Sequence, residues 1–293
     1  MSASFFECHG HLMMDGTDFT NAKERHSAGV DYDSLRQNLA ALRDAGVTYF
    51  RDGGDAYGVS AAARGMAGDY GIAYATPVFA IHRTGRYGKI VGRGFETMRD
   101  YRALVAEAKA AGADFIKLMF SGIITFRTYG ALSCPGLPEE EIRELVYIAH
   151  GEGFSVMAHV NGADTVLAAI AAGTDSIEHG YFMDAACLDA LAASDSVWVP
   201  TLAATHAFIG RPGFDSEAAE KTVERQKETV RRAAALGARI ACGSDAGAVG
   251  VPHGAGARTE YTLLLSAGVT PEQIAAGNDA LRKKFRPGGG IIG

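Results

Sequence analysis

Ala172-Gly-Thr-Asp-Ser176 is the junction that decides the fold: a helical stretch ends on Ala-Gly, and within about two residues the chain enters an apolar strand. The same junction returns as Asp44-Ala-Gly-Val-Thr48, Ala111-Gly-Ala-Asp-Phe115 and Leu236-Gly-Ala-Arg-Ile240. Repetition at this regularity reads as a βα unit used several times over. It also accounts for the glycine content, 37 of 293 residues or about 13%, against an average near 7%.

Working outward, runs rich in β-branched and aromatic residues fall at 5–11, 47–52, 73–80, 114–120, 155–160, 175–179, 197–202 and 238–244. Between them, Leu35, Leu39 and Leu42, and Ile142, Leu145, Val146 and Ala149, repeat on single helical faces. Pro138 before Glu139-Glu-Glu141 is a helix start, and Thr270-Pro-Glu-Gln273 reads as a capping box. Eight strands alternating with helices predict a closed α/β architecture, a (β/α)8 TIM barrel forming one domain over 1–293. An open doubly wound sheet is the structural alternative. No Gly-x-Gly-x-x-Gly follows the first strand and no Walker A loop occurs, so its nucleotide-binding form lacks a fingerprint.

Lys+Arg of 28 against Asp+Glu of 34 gives a net charge of −6, which supplies no basic field for nucleic acid. No apolar run approaches the roughly 18 residues of a membrane span, and the first residues lack a basic flank and a long apolar stretch. The expectation is a cytoplasmic enzyme of small molecules, with no membrane partner. Segment 215–236 reads as an exposed amphipathic outer helix that could serve a homo-oligomer interface. The four cysteines have no C-x-x-C spacing and read as packing thiols.

The chemistry lies in the strands. His9 and His11 are two apart on the first strand, so both imidazoles share one face. Lys117 is centred in the apolar run Phe115-Ile-Lys-Leu-Met-Phe120; a buried ammonium is costly unless paired, neutralised or chemically modified. His159 ends the fifth strand, His179 the sixth, and Asp245 the eighth, at the rim where barrel enzymes carry their sites. Singly, each has an ordinary explanation: a chance pair, a snorkelling lysine, satisfied core histidines, a helix-capping aspartate. Together they converge on one rim.

This set, in this order, resembles the amidohydrolase superfamily of metal-dependent hydrolases over nearly the whole chain. Ala113-Asp-Phe-Ile-Lys-Leu-Met-Phe-Ser-Gly122, Gly173-Thr-Asp-Ser-Ile-Glu-His-Gly180 and Gly243-Ser-Asp-Ala-Gly247 look most like its prolidase and imidazolonepropionase-like branch. The resemblance implies two divalent metal ions, with zinc the expected metal. His9, His11 and Asp245 would hold one, His159 and His179 the other, and Lys117, carboxylated to a carbamate (N6-carboxylysine), would bridge them. Imidazole, carboxylate and carbamate donors suit zinc and its neighbours. A bridging hydroxide would attack the carbonyl, with Asp245 as the catalytic proton shuttle.

The chain departs from the branch in two places. His9 stands almost at the start, which predicts a barrel without the accessory β-sandwich. Ser121-Gly122-Ile123 replaces the branch's Ser-Gly-Gly, which predicts a different substrate pocket. Arg127, Tyr129, His206 and His253 are candidate substrate contacts on mouth loops, with His82 and Arg83 in a similar position. The function expected is hydrolysis of an amide bond in a dipeptide or N-acyl amino acid. The alternatives are a lactonase or cyclic-amide hydrolase using the same centre, and a non-catalytic barrel relative.

Overall fold

The computed structural model describes residues 4–126 and 128–288. Among them are ten strands: β1 (Phe5–Gly10), β2 (Val47–Asp52), β3 (Ala73–Ala75), β4 (Ala80–Arg83), β5 (Gly92–Phe95), β6 (Ile116–Met119), β7 (Val156–Val160), β8 (Ser176–His179), β9 (Val197–Val199) and β10 (Arg239–Ile240). The helices are α1 (Phe19–Arg25), α2 (Tyr32–Asp44), α3 (Val59–Met66), α4 (Met98–Ala110), α5 (Glu139–Gly151), α6 (Ala163–Ala171), α7 (Ala185–Ala193), α8 (Leu202–His206), α9 (Ser216–Ala235), α10 (Ala255–Ser266) and α11 (Pro271–Lys284).

All strand pairs are parallel, in the orders β1-β2-β3 and β10-β9-β8-β7-β6-β4-β5. The two sheets close into one barrel. Cys8 N donates to Cys242 O (2.9 Å) and His11 N to Ala246 O (2.7 Å), tying β1 to the segment that continues from β10. At the other seam, β3 pairs with β2 while β4 pairs with β6, so residues 73–83 serve as one interrupted barrel strand. The interruption corrects the unbroken 73–80 strand expected from sequence. Pro77 has no N–H for a ladder, and Val78 takes φ 68°, so the backbone leaves the sheet and returns one segment later. β5, on the outer side of β4, was not expected either. The helices start where the caps predict: Thr270 and Gln273 form a reciprocal capping box at α11, and α5 begins behind Pro138. No helix among the described residues is long and apolar enough to cross a membrane.

The segment Arg282-Lys-Lys-Phe-Arg286 reads from sequence as a solvated helix end; Arg282, Lys283 and Arg286 are exposed at the end of α11, as that reading expects, and the structure differs at Phe285. Phe285 is fully buried beneath the strands, with its carbonyl accepting from Tyr49 Oη (2.9 Å) and its ring edge-on to Phe115 at 5.1 Å. The Arg51 guanidinium lies 4.4 Å from the Phe285 ring centroid. Arg282, Lys283 and Arg286 keep their water while that one ring turns inward, so Phe285 becomes the floor of the barrel.

Candidate metal centre

His9 on β1 and His11 just past its end project into the barrel mouth, while Cys8, the residue before His9, points outward, its Sγ 3.6 Å from Asn278 Oδ1 on α11. His9 Nδ1 lies 2.7 Å from Glu178 Oε2, and His11 Nδ1 3.2 Å from Gly54 O. A carbonyl or carboxylate oxygen can only accept, so each Nδ1 donates and each Nε2 keeps its lone pair for the mouth. Those two Nε2 atoms face Asp245 Oδ1 at 3.6 and 3.7 Å. The three ligand atoms lie within 4.8 Å of one another, a spacing that fits one metal ion. Gly53 is required beside them, because a Cβ there would stand 2.1 Å from His11 Cε1.

His179 and His159 continue the arc, with ring centroids 4.9 Å apart for His9 and His179 and 4.6 Å for His179 and His159. Strand alternation alone would turn His179 away, because Ser176 and Glu178 already occupy the inward face of β8. The backbone resolves the conflict: His179 adopts φ 68°, which swings its ring over the mouth. Its carbonyl is held by Trp198 Nε1 (3.0 Å) and Gln226 Nε2 (2.7 Å), and its Nδ1 lies 2.8 Å from Thr201 Oγ1. Thr201 at φ 50° and Asp245 at φ 63° share this left-handed conformation. Three such residues at strand ends are strain concentrated around one site.

Burial pushes the His11 and His159 imidazoles down to about 3 and those of His9 and His179 well below their ordinary range; the Lys117 charge adds to the push on all four. They are neutral donors at any ordinary pH. Lys117 itself is buried on β6, its Nζ without a hydrogen-bond partner among the described residues, and burial pulls it down to about 8. A buried, partnerless amine beside four imidazoles is the open position a carbamate would fill. Burial raises Asp245 to about 6, near the range suited to a proton shuttle.

Sequence reasoning missed the layer beneath. Glu178 is fully buried and joins His9 Nδ1 to Arg51 Nη2 (2.8 Å), with a further bond from Ser176 Oγ. Arg51 Nε also donates to Cys8 O at 2.7 Å. The signal was available: Ser176 and Glu178 share the inward face of one strand and Tyr49 and Arg51 that of another. Tyr87 was missed as well. Its ring reaches the mouth, 4.8 Å from that of His159, because its loop folds tightly over β4 and β6. Gly88 permits this, since a Cβ there would meet His82 Cβ at 2.7 Å and Met119 Cγ at 2.8 Å.

The other candidates sit further out. His253 is buried with Nε2 2.8 Å from Met14 O, a bond that fixes the loop after β10. Tyr129 stacks edge-on against Phe182 at 5.3 Å with Lys221 Nζ 4.7 Å from its ring centroid, and lines a separate polar cavity on the flank. His206 is exposed at the end of α8. His82 is buried within β4, its Nδ1 2.9 Å from Arg83 O. Arg127 lies outside the described residues.

Glu260 on α10 supports the mouth from behind: buried, it accepts from Ala203 N at 2.7 Å, and burial raises it to about 8. The folded state therefore holds a proton between about 4.5 and 8 that the unfolded chain releases. Stability from this group is full below the lower value and is lost as pH climbs through the upper one. Glu260→Gln keeps an acceptor for Ala203 N and removes that loss. In thermal melts the variant is expected to match wild type at pH 4.5 and exceed it at pH 9, by on the order of 1.4 kcal/mol per pH unit crossed. Parallel melting curves across that range would count against it.

Residues 1–286 match the Amidohydrolase family. No curated protein matches the chain. Among solved structures, the chain is similar to a Xaa-Pro dipeptidase with bound methionine in its active site (23% identity, TM-score 0.75, covering 98% of this chain and 77% of that one). It is also similar to the A. niger ochratoxinase (21%, TM-score 0.77, 97% and 72%) and to phenylurea hydrolase B (16%, TM-score 0.71, 96% and 74%). At these identities the likeness is one of fold.

Proposed function

The chain belongs to the amidohydrolase family, and from that premise we propose that it is a metal-dependent hydrolase that cleaves an amide bond in a small molecule. The observation that carries the proposal is the convergence of His9 Nε2, His11 Nε2 and Asp245 Oδ1 within 4.8 Å, with both imidazoles anchored through their opposite nitrogens. These three residues would hold one divalent ion and His159 and His179 a second, with zinc the metal that best suits the donors. Lys117 would join the two as a carbamate: its neutral amine adds carbon dioxide and releases one proton, turning a partnerless group into a bidentate anion.

Bound ions would polarise the scissile carbonyl and acidify the attacking water. The chain's own residues do the rest. Glu178 and the Gly54 carbonyl fix the ring orientations of His9 and His11, and Thr201 that of His179. Asp245 takes a proton from the attacking water and returns it to the leaving nitrogen, so no serine or cysteine nucleophile is needed.

Elemental analysis of protein supplied with zinc and bicarbonate should find close to two equivalents of transition metal. A screen of dipeptides, other amides and lactones should find turnover of an amide that a chelator abolishes. Less than one equivalent of metal, or activity on lactones alone, would overturn the proposal.

A further inference from the structure

A cavity of about 270 Å³ opens over His159, His179 and Asp245. Its outer wall is apolar. Phe126 from the loop after β6 and Phe208 from the segment after α8 stand with ring centroids 4.8 Å apart, and Phe214 packs on Phe208 at 4.6 Å. Ile124 and Val249 extend the same surface. Phe126 holds φ 51°, a conformation that a phenylalanine adopts at steric cost, so the wall is maintained against local preference. The hydroxyl of Tyr181, which could have offered a polar contact, is engaged with Thr201 O at 2.8 Å. Among the described residues that line the cavity there is no lysine or arginine.

A carboxylate brought against this surface would lose hydration and meet no lysine or arginine among the described residues of the wall, whereas an aryl or branched alkyl group would gain from leaving water. We infer that the amide cleaved here carries an uncharged apolar group, aryl or branched alkyl, packed against the wall that Phe126 and Phe208 form together, in place of the free carboxylate of a dipeptide or N-acyl amino acid. The inference rests on the hydrolase reading for the word amide, and on the wall alone for the word apolar.

The test uses zinc-loaded protein and non-cleavable ketones, in which a methylene replaces the scissile nitrogen of phenylacetanilide. Calorimetry compares the neutral ketone with versions bearing a carboxylate on either ring. The neutral compound should bind at least about tenfold tighter than both, and Phe208→Ala should weaken it about tenfold with bound metal unchanged. Phe126→Arg should move the preference toward the carboxylated ligands, which separates a lost contact from a damaged fold. Equal or tighter binding of a carboxylated ketone to wild type, or undiminished binding by Phe208→Ala, would overturn the inference. Failure of the hydrolase reading looks different: no amide is turned over, while the neutral ketone keeps its preference.

Discussion

Lys117→Met is expected to purify with most of its metal missing and with activity reduced by more than about a hundredfold, a larger loss than an outer-sphere partner alone would cause. The second expectation runs the other way. In chelator, this variant should melt at or above wild type, because the amine it removes is buried without a hydrogen-bond partner while methionine fills similar volume. A residue that costs stability without metal and is indispensable with it is what a carbamate bridge requires. In Lys117→Ala, short carboxylic acids supplied at high concentration should restore part of the metal binding. Full metal content in either variant would show that Lys117 does not bridge.

Arg51→Met carries the other large effect. Arg51 and Glu178 are both fully buried and bonded at 2.8 Å, so removing the guanidinium leaves a carboxylate with its countercharge gone. The expected cost is about 3–5 kcal/mol in denaturant unfolding of the metal-free protein. Because Glu178 also orients His9, zinc affinity should fall by roughly 10- to 100-fold. The double variant Arg51→Met with Glu178→Leu should recover much of the stability and none of the affinity. If Arg51→Met unfolds within about 0.5 kcal/mol of wild type, the pair does not hold the floor of the site.

The barrel could be read from the chain because its signals are local. Glycine stands one residue past the C-cap of α2, α4, α5, α6, α9 and α10, and a period of two or 3.6 assigns the faces. Lys117 was conspicuous for the same reason, one charge in an apolar strand. What escaped depends on contacts between segments far apart in the chain. Arg51 and Glu178 are unremarkable until β2 and β8 place them in one buried layer, 127 residues apart. His179 reaches the mouth only through a backbone turn that sequence periodicity does not encode. Tyr129 and His206 stand on segments after barrel strands, and the loop folds set the one against the flank and the other toward solvent. Loop residues inherit a place in the order of the chain but not a direction.

The Phe285 floor has a consequence for the order of assembly. From the ring of Phe285 an unbroken line of contacts runs through Arg51 and Glu178 to His9. His9 stands on the first strand, and Phe285 follows directly on α11, the last helix among the described residues. The line therefore closes only when α11 has docked beneath β1 and β2. Until that docking the floor under His9 is open, so the opposite ends of the barrel gain their order in one step.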